Sequence, residues 1–188
     1  AVPSARLLRR LHYREAQEIA SAGGGILHPR SISPVRKAGI PLFLKCTSRP
    51  DWQGTLISSA EGDDTPQLKA ISQRSGLTLI AMESMEMWHQ VGFLADVFQI
   101  FRAHGFSVDL ISTSESNVTV SIDVGANVTD QSAISAVAAE LGQLCRVDVI
   151  EDCAAVTLVG RRIRAILHEL SPVMEVFEEY KVHLVTQA

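Results

Sequence analysis

The alternation of apolar and polar positions is clearest between residues 85 and 115, where it predicts a helix followed by a strand. Leu94, Val97, Phe98 and Phe101 recur at i, i+3, i+4 and i+7 and form one apolar stripe. Asp96, Gln99 and Arg102 take the opposite face. Gly105 ends the helix where a left-handed backbone costs least. Over residues 107–112 the period drops to two, with Val108 and Leu110 on one face and Asp109 on the other. A second unit of the same kind follows. Val118, Val120 and Ile122 alternate with Thr119, Ser121 and Asp123, the pattern of a half-buried strand. Gly125 and Asn127 turn the chain, and Asp130 can cap a helix carrying Ile134, Val137, Ala138 and Leu141 on one stripe. Residues 146–150 read as a strand, and residues 77–81 as a buried strand ahead of the first helix. The order strand, helix, strand, strand, helix, strand over residues 77–150 predicts an α+β, ferredoxin-like βαββαβ fold. Many unrelated modules share that order, so it does not by itself give a function.

The flanks are less regular. Pro3 and Ser4 open a helical region that includes Leu7, Leu8, Leu11, Ala16 and Ile19 and stops at Gly23, Gly24 and Gly25. Ser33 and Pro34 suit the cap and first turn of a short helix closed by Gly39. Residues 40–45 read as a strand and 49–54 as a turn. With no second strand to pair, residues 1–60 look too small for a core of their own. Residues 58–66 are small, acidic and polar and read as a linker, followed by a short strand at 68–71. Beyond Cys153, residues 154–160 read as a strand, and Ile163, Ile166, Leu167 and Leu170 form a helical stripe. Ser171-Pro172 either kinks that helix or starts another. Residues 182–188 read as a strand corresponding to residues 108–114, with His183 in the place of Asp109.

Composition narrows the class without choosing a function. The 188 residues, 46% hydrophobic and 20% charged, describe an ordinary globular protein with room for one or two domains. A net charge of −4 argues against nucleic acid and anionic membranes as partners. No apolar run approaches the roughly 20 residues needed to span a bilayer, and Arg6, Arg9 and Arg10 interrupt any signal-peptide core. Cys46, Cys145 and Cys153 have no metal-like spacing and suggest buried thiols in a reducing cytoplasm. The six histidines show no paired ligand spacing, so no metal site is expected.

Chemistry concentrates at the start of the central helix. Gly92, Phe93 and Leu94 open its first turn, whose backbone N–H groups have no intrahelical acceptor. Those donors and the positive end of the helix dipole suit an anion such as a carboxylate. Asp109 and Glu115 then offer two acidic groups for ammonium ions, although solvated turn residues would look the same. Met87, His89 and Gln90 precede this start in sequence; Met87 reads as a pocket wall or core, His89 as a neighbour of the ligand or a solvated loop residue, Gln90 as a donor to a carboxylate, and Trp88 as core.

These residues carry a resemblance. Gly92, Phe93, Leu94 and Ala95 before the helix, Ser107, Val108 and Asp109 after it, and Thr113, Ser114 and Glu115 at its end closely resemble the first ACT domain of aspartate kinases, in their lysine-inhibited forms. Residues 1–57 resemble the end of that family's catalytic domain, through Glu15, Ala16 and Glu18, then His28, Pro29 and Arg30, then Gly39, Ile40 and Pro41, then Gly54, Thr55, Leu56 and Ile57. They depart from it at Lys45, Cys46 and Thr47 and at the glycine run. The resemblance implies four segments: 1–60, the end of an amino-acid-kinase domain; 61–76, a linker and the first strand of a second ACT unit; 77–150, a complete first ACT domain; and 151–188, an incomplete second one. It further implies a cytoplasmic homodimer that pairs through its ACT domains. L-lysine would bind at their interface through Met87, His89, Gln90, Gly92, Phe93 and Leu94, together with Val108, Asp109, Ser114 and Glu115. ATP and Mg would belong to the whole kinase; the segments that hold them lie upstream in the family, so this chain is expected to hold no cofactor and to be inactive alone. The tail over residues 171–188 resembles aspartate kinases fused to a diaminopimelate decarboxylase, which implies that the polypeptide continues. A free-standing ACT-type sensor, or threonine as effector, is the alternative. An RNA-binding module of the same fold is disfavoured because the strand Asn117–Asp123 carries no stacking aromatics.

Overall fold

The computed structural model describes residues 4–60, 65–85, 87, 90–123 and 131–187. They divide into two units, Ala1–Arg74 with Val156–Glu178, and Ser75–Ala155 with Glu179–Ala188. The expected turn at Gly125 and Asn127, the expected cap Asp130, and Trp88 and His89 lie outside the described residues.

The first unit has the core that its sequence seemed too short to build. Strand β1 (Arg10–His12) runs into helix α1 (Tyr13–Ser21), and helix α2 (Pro29–Lys37) leads to β2 (Leu42–Leu44) and β3 (Thr55–Ser58). The three strands form a sheet in the order β1-β3-β2, with β1 parallel and β2 antiparallel to β3. Leu11, Tyr13, Ala16, Ile32 and Ile57 close over it. The expected helix from Ser4 through Leu11 is thus corrected to an irregular segment and a strand. Histidine caps explain where both helices begin. His12 accepts the Arg14 N–H at Nδ1 (3.1 Å), while Glu15 accepts the His12 N–H (2.8 Å), a capping box with histidine in the usual serine place. His28 likewise accepts the Arg30 N–H (3.2 Å), so α2 starts at Pro29, ahead of the expected Ser33-Pro34 cap.

Strand β4 (Gln67–Glu83) is one strand of 17 residues where two short ones were expected; its residues through Arg74 belong to the first unit and those from Ser75 to the second. Helix α3 (Phe93–Ala103), β5 (Ile111–Thr113), β6 (Asn117–Asp123), α4 (Gln131–Leu141) and β7 (Arg146–Arg161) follow. The sheet order is β5-β6-β4-β7, with β4 and β5 antiparallel to β6. This is the ferredoxin-like arrangement. Strand β7 also joins two expected strands, passing through a left-handed Asp152 (φ 55°). Ile80, Met82, Val118, Val120 and Ile122 meet Val97, Phe101, Ile134, Val137 and Leu141 in a single core.

Two local differences bear on function. The buried stripe of α3 is Phe93, Val97, Ile100 and Phe101, whereas Leu94 is 42% exposed. Both stripes have helical spacing, and packing on the sheet selects between them. The strand expected over 107–112 is shortened at its start by a β-bulge. Asp109 donates its N–H to the Ser121 carbonyl (3.0 Å), Ser121 donates to the Leu110 carbonyl (2.9 Å), and the Leu110 N–H takes the Ser121 side-chain oxygen (3.0 Å). Two residues therefore stand opposite one.

After β7 the chain forms a 3₁₀ helix (Ile163–Leu170), a short helix α5 (Ser171–Glu175) and a second 3₁₀ turn (Val176–Glu179). Ser171-Pro172 thus starts a new helix. Residues 181–187 form no strand, since none of the described residues pairs with them. Cys46 is exposed, against the expectation of buried thiols.

Truncating Phe101 to Ala should cost about 3–5 kcal/mol in urea denaturation, and Leu94→Ala no more than about 1 kcal/mol. The thiols give a second prediction. A hydrogen bond from Ser48 (Sγ to Oγ 3.1 Å) lowers the Cys46 pKa, while burial raises those of Cys145 and Cys153. Iodoacetamide just above neutral pH should therefore alkylate Cys46 first, the order being read by peptide mass spectrometry.

Candidate functional site

A cleft of about 320 Å³ opens at the start of α3. Its floor is a chain of short turns. Ser84 leaves β4 by donating to the Ser116 carbonyl (2.9 Å), Met87 donates to Ser84 (3.3 Å), Gln90 to Met87 (3.2 Å), and Phe93 to Gln90 (3.4 Å). Each bond fixes the next residue, so Met87 and Gln90 are carried to the cleft wall. Met87 also packs against the core.

Gly92 then turns the chain into α3 with a left-handed backbone (φ 94°). A Cβ there would meet nothing within 4 Å, so glycine serves the conformation and not the space. No side chain caps the helix, and Asp96 is the acid of its first turn. The Phe93 N–H is taken by Gln90, while those of Leu94 and Ala95 have no acceptor within the helix. The open donors therefore sit one residue further along than the sequence suggested. Together with the dipole they favour an anion.

The facing wall comes from the turn between β5 and β6. Ser114 donates its N–H to the Asn117 carbonyl (2.8 Å), and Asn117 donates back to the Ser114 Oγ (3.2 Å). This closed turn holds Glu115 at its tip beside Thr113 and Ser114, all on the cleft. Glu115 is exposed and has no ion-pair partner among the described residues. One cleft thus presents free N–H donors on one side and an unpaired carboxylate on the other. A molecule bearing both a carboxylate and an ammonium group matches it.

Of the expected pocket residues, the structure brings Met87, Gln90, Gly92, Phe93, Leu94, Ser114 and Glu115 to this cleft. It places two elsewhere. Val108 lines a second cleft, of about 510 Å³, near Gly105 at the far end of α3. Asp109 is exposed on the bulge and lines neither cleft. Ala95 and Thr113 were missed, although each adjoins a chosen residue and shares its turn. Among the described residues, no three His, Cys, Asp or Glu side chains gather to hold a metal ion, and no helix is long and apolar enough to cross a membrane.

Comparison with known proteins gives consistent results. Residues 89–146 match the ACT domain model. The chain is 33% identical over 186 residues to the lysine-sensitive aspartokinase 3 of Escherichia coli, covering 98% of this chain and 41% of that protein. It is 33% identical over 153 residues to the chloroplastic aspartokinase 1 of Arabidopsis thaliana, covering 80% of this chain and 27% of that one. The chain therefore spans less than half the length of these relatives. Among solved structures, E. coli aspartokinase III with aspartate and ADP, in its R-state, superposes with a TM-score of 0.84 at 32% identity, covering 100% of this chain and 42% of that one. The same enzyme with lysine and aspartate, in its T-state, gives 0.73 at 31% identity, covering 97% and 41%.

The uncapped helix start yields a stability prediction. Ala95→Asp places a carboxylate in the first turn of α3, and thermal denaturation should show a gain of about 0.3–1 kcal/mol.

Proposed function

The chain belongs to the aspartokinase family and carries its ACT-bearing regulatory region, and on that premise we propose that the cleft at α3 binds L-lysine as an end-product inhibitor. The observation that carries this reading is the pairing of bare N–H groups at Leu94 and Ala95 with the unpaired Glu115 across one cleft. The amino acid's carboxylate takes the helix start, where it replaces the missing cap. An ammonium group takes Glu115, and Met87, Gln90 and Ser114 line the space between, with His89 adjoining them in sequence.

Lysine has a second ammonium group, and one chain offers this cleft only one carboxylate. A second copy supplies the other. Strand β5 is an edge of its sheet and exposes Ile111, while Leu94 on the cleft and Val91 just before Gly92 are also exposed. The bulge turns Asp109 outward on the same edge. A homodimer formed along this edge sets Asp109 and Val108 of one protomer toward the cleft of its partner, which unites the full set of expected residues. Threonine, with a single ammonium group, needs only Glu115 and gains nothing from Asp109.

In the whole protein, aspartate kinase transfers the γ-phosphate of ATP, with Mg, to the β-carboxylate of L-aspartate to give 4-phospho-L-aspartate. Inhibition follows if lysine binds the inactive arrangement better than the active one. A coupling of about 1–3 kcal/mol changes activity roughly 5–150-fold. The E. coli relative supports such a pair of states, since its lysine-bound T-state and its R-state superpose on this chain with TM-scores of 0.73 and 0.84.

Isothermal titration calorimetry tests the reading, with threonine as control. Lysine should bind at about one per chain, and Glu115→Gln should weaken it about 10-fold or more through loss of a charge-assisted hydrogen bond. Asp109→Ala should weaken lysine binding without changing the melting temperature. Binding of threonine alone would overturn the choice of effector. Binding of neither would overturn the sensor.

A further inference from the structure

One carboxylate in the first unit makes two attachments at once. Glu15 closes the capping box of α1 through the His12 N–H (2.8 Å), and the same Oε2 accepts from the Lys69 ammonium (2.8 Å). The ammonium also lies 2.7 Å from Oε1, and the two side chains are only 12% and 8% exposed. Three residues along β4, the Ser72 hydroxyl donates to the Ala22 carbonyl at the C-cap of α1 (2.7 Å). Beside it the Gly23 backbone lies close against Gln73 and Arg74, where an added Cβ would stand 3.4 Å from each. Three residues of strand rise about 10 Å, and the nine residues of α1 rise about 13 Å. The first part of β4 is therefore tied to α1 at both of its ends.

A strand that needed only to pack on a helix would use apolar contacts. A shielded ion pair carries a desolvation cost that those contacts do not, and its best-attested use is to hold one arrangement against others. The strand so held is the one that reaches the cleft. Strand β4 continues unbroken to Glu83, and the next residue, Ser84, is bonded to Ser116, which adjoins Glu115.

We propose that the Glu15–Lys69 pair is the positioning contact through which ligand occupancy of the α3 cleft reaches α1. The ligand's hold on Glu115 acts on Ser116, passes to Ser84 and along β4, and arrives at the helix that Lys69 clamps. The inference rests on the amino-acid-sensing reading above and adds to it the residues that transmit the signal.

Hydrogen exchange read by mass spectrometry on the 188-residue chain, with and without L-lysine, tests it. The comparison is with the double variant Glu15→Gln/Lys69→Met, in which glutamine still closes the capping box. In the parent, lysine should change the exchange of the α1 amides. The double variant should bind lysine within about threefold of the parent by calorimetry, with the α1 response gone. An α1 response that persists in the double variant overturns the proposal, as does a parent that binds lysine with no response at α1; both leave the sensor standing. A parent that binds no lysine overturns the sensor and the coupling together. Should circular dichroism show the double variant unfolded, Ser72→Ala, which cuts only the second tie, is read in its place. A response reduced by about twofold or more supports the coupling, and an unchanged one overturns it.

Discussion

The antiparallel pairing of β4 with β6 is the constraint on which the second unit depends. Thr78 faces Ile122, Ile80 faces Val120, and Met82 faces Val118. That register turns one side chain in two toward α3 and α4, and a slip of a single residue would send Ile80 and Met82 to the opposite face. The same register sets the level at which β4 ends, and with it the bond from Ser84 to Ser116. The cleft is thus a consequence of the sheet. Its two walls, one carrying Met87 and Gln90 and the other the turn at 113–117, leave neighbouring strands at one end of the ladder.

The two ends of α3 show where local rules are kept and where they are broken. At its C-terminus Gly105 donates to Arg102 (3.0 Å) and Phe106 to Phe101 (2.9 Å), a complete Schellman closure with Phe106 buried behind it. At its N-terminus Gly92 holds the cap position and supplies no side-chain hydrogen bond. A helix that finishes one end fully and leaves the other bare departs from consistency at one place, and such departures gather at functional positions. The Asp109 bulge is a second departure, on the edge strand beside the same cleft.

Sequence periodicity made α3, β6 and α4 legible because each carries several turns or alternations of its pattern, and Gly105 marked a boundary. It could not show β1, a three-residue strand that exists only through its pairing with β3. It also could not show the helix starts at His12 and His28, since histidine is not among the favoured capping residues. Where it split β4 between residues 71 and 77 and β7 between residues 150 and 154, ladder bonds to neighbouring strands carry the chain through a local break. The cleft was half legible. Its helix side follows from the Gly92 turn and its far side from Ser114 and Glu115, all near one another in sequence. Placing Val108 and Asp109 depended on the bulge, and a bulge is decided by the partner strand, here by the Ser121 hydroxyl. The resemblance to aspartate kinases supplied the family, which periodicity alone could not.

On the proposed reading, a helix start without a side-chain cap gives a small ligand leverage over this fold. With glycine at the cap position, α3 is short of roughly a few tenths of a kcal/mol that a serine or aspartate would have supplied. A carboxylate that docks there restores this contribution, but only while it is bound. By mass action a ligand at 100 times its dissociation constant stabilises the arrangement it prefers by about 2.7 kcal/mol. That exceeds the cost of the missing cap and falls within the usual range of an allosteric coupling. A helix already capped by its own side chain would be more stable and indifferent to the ligand. On the proposed reading, the donors left open at Leu94 and Ala95 are what a ligand's carboxylate takes up.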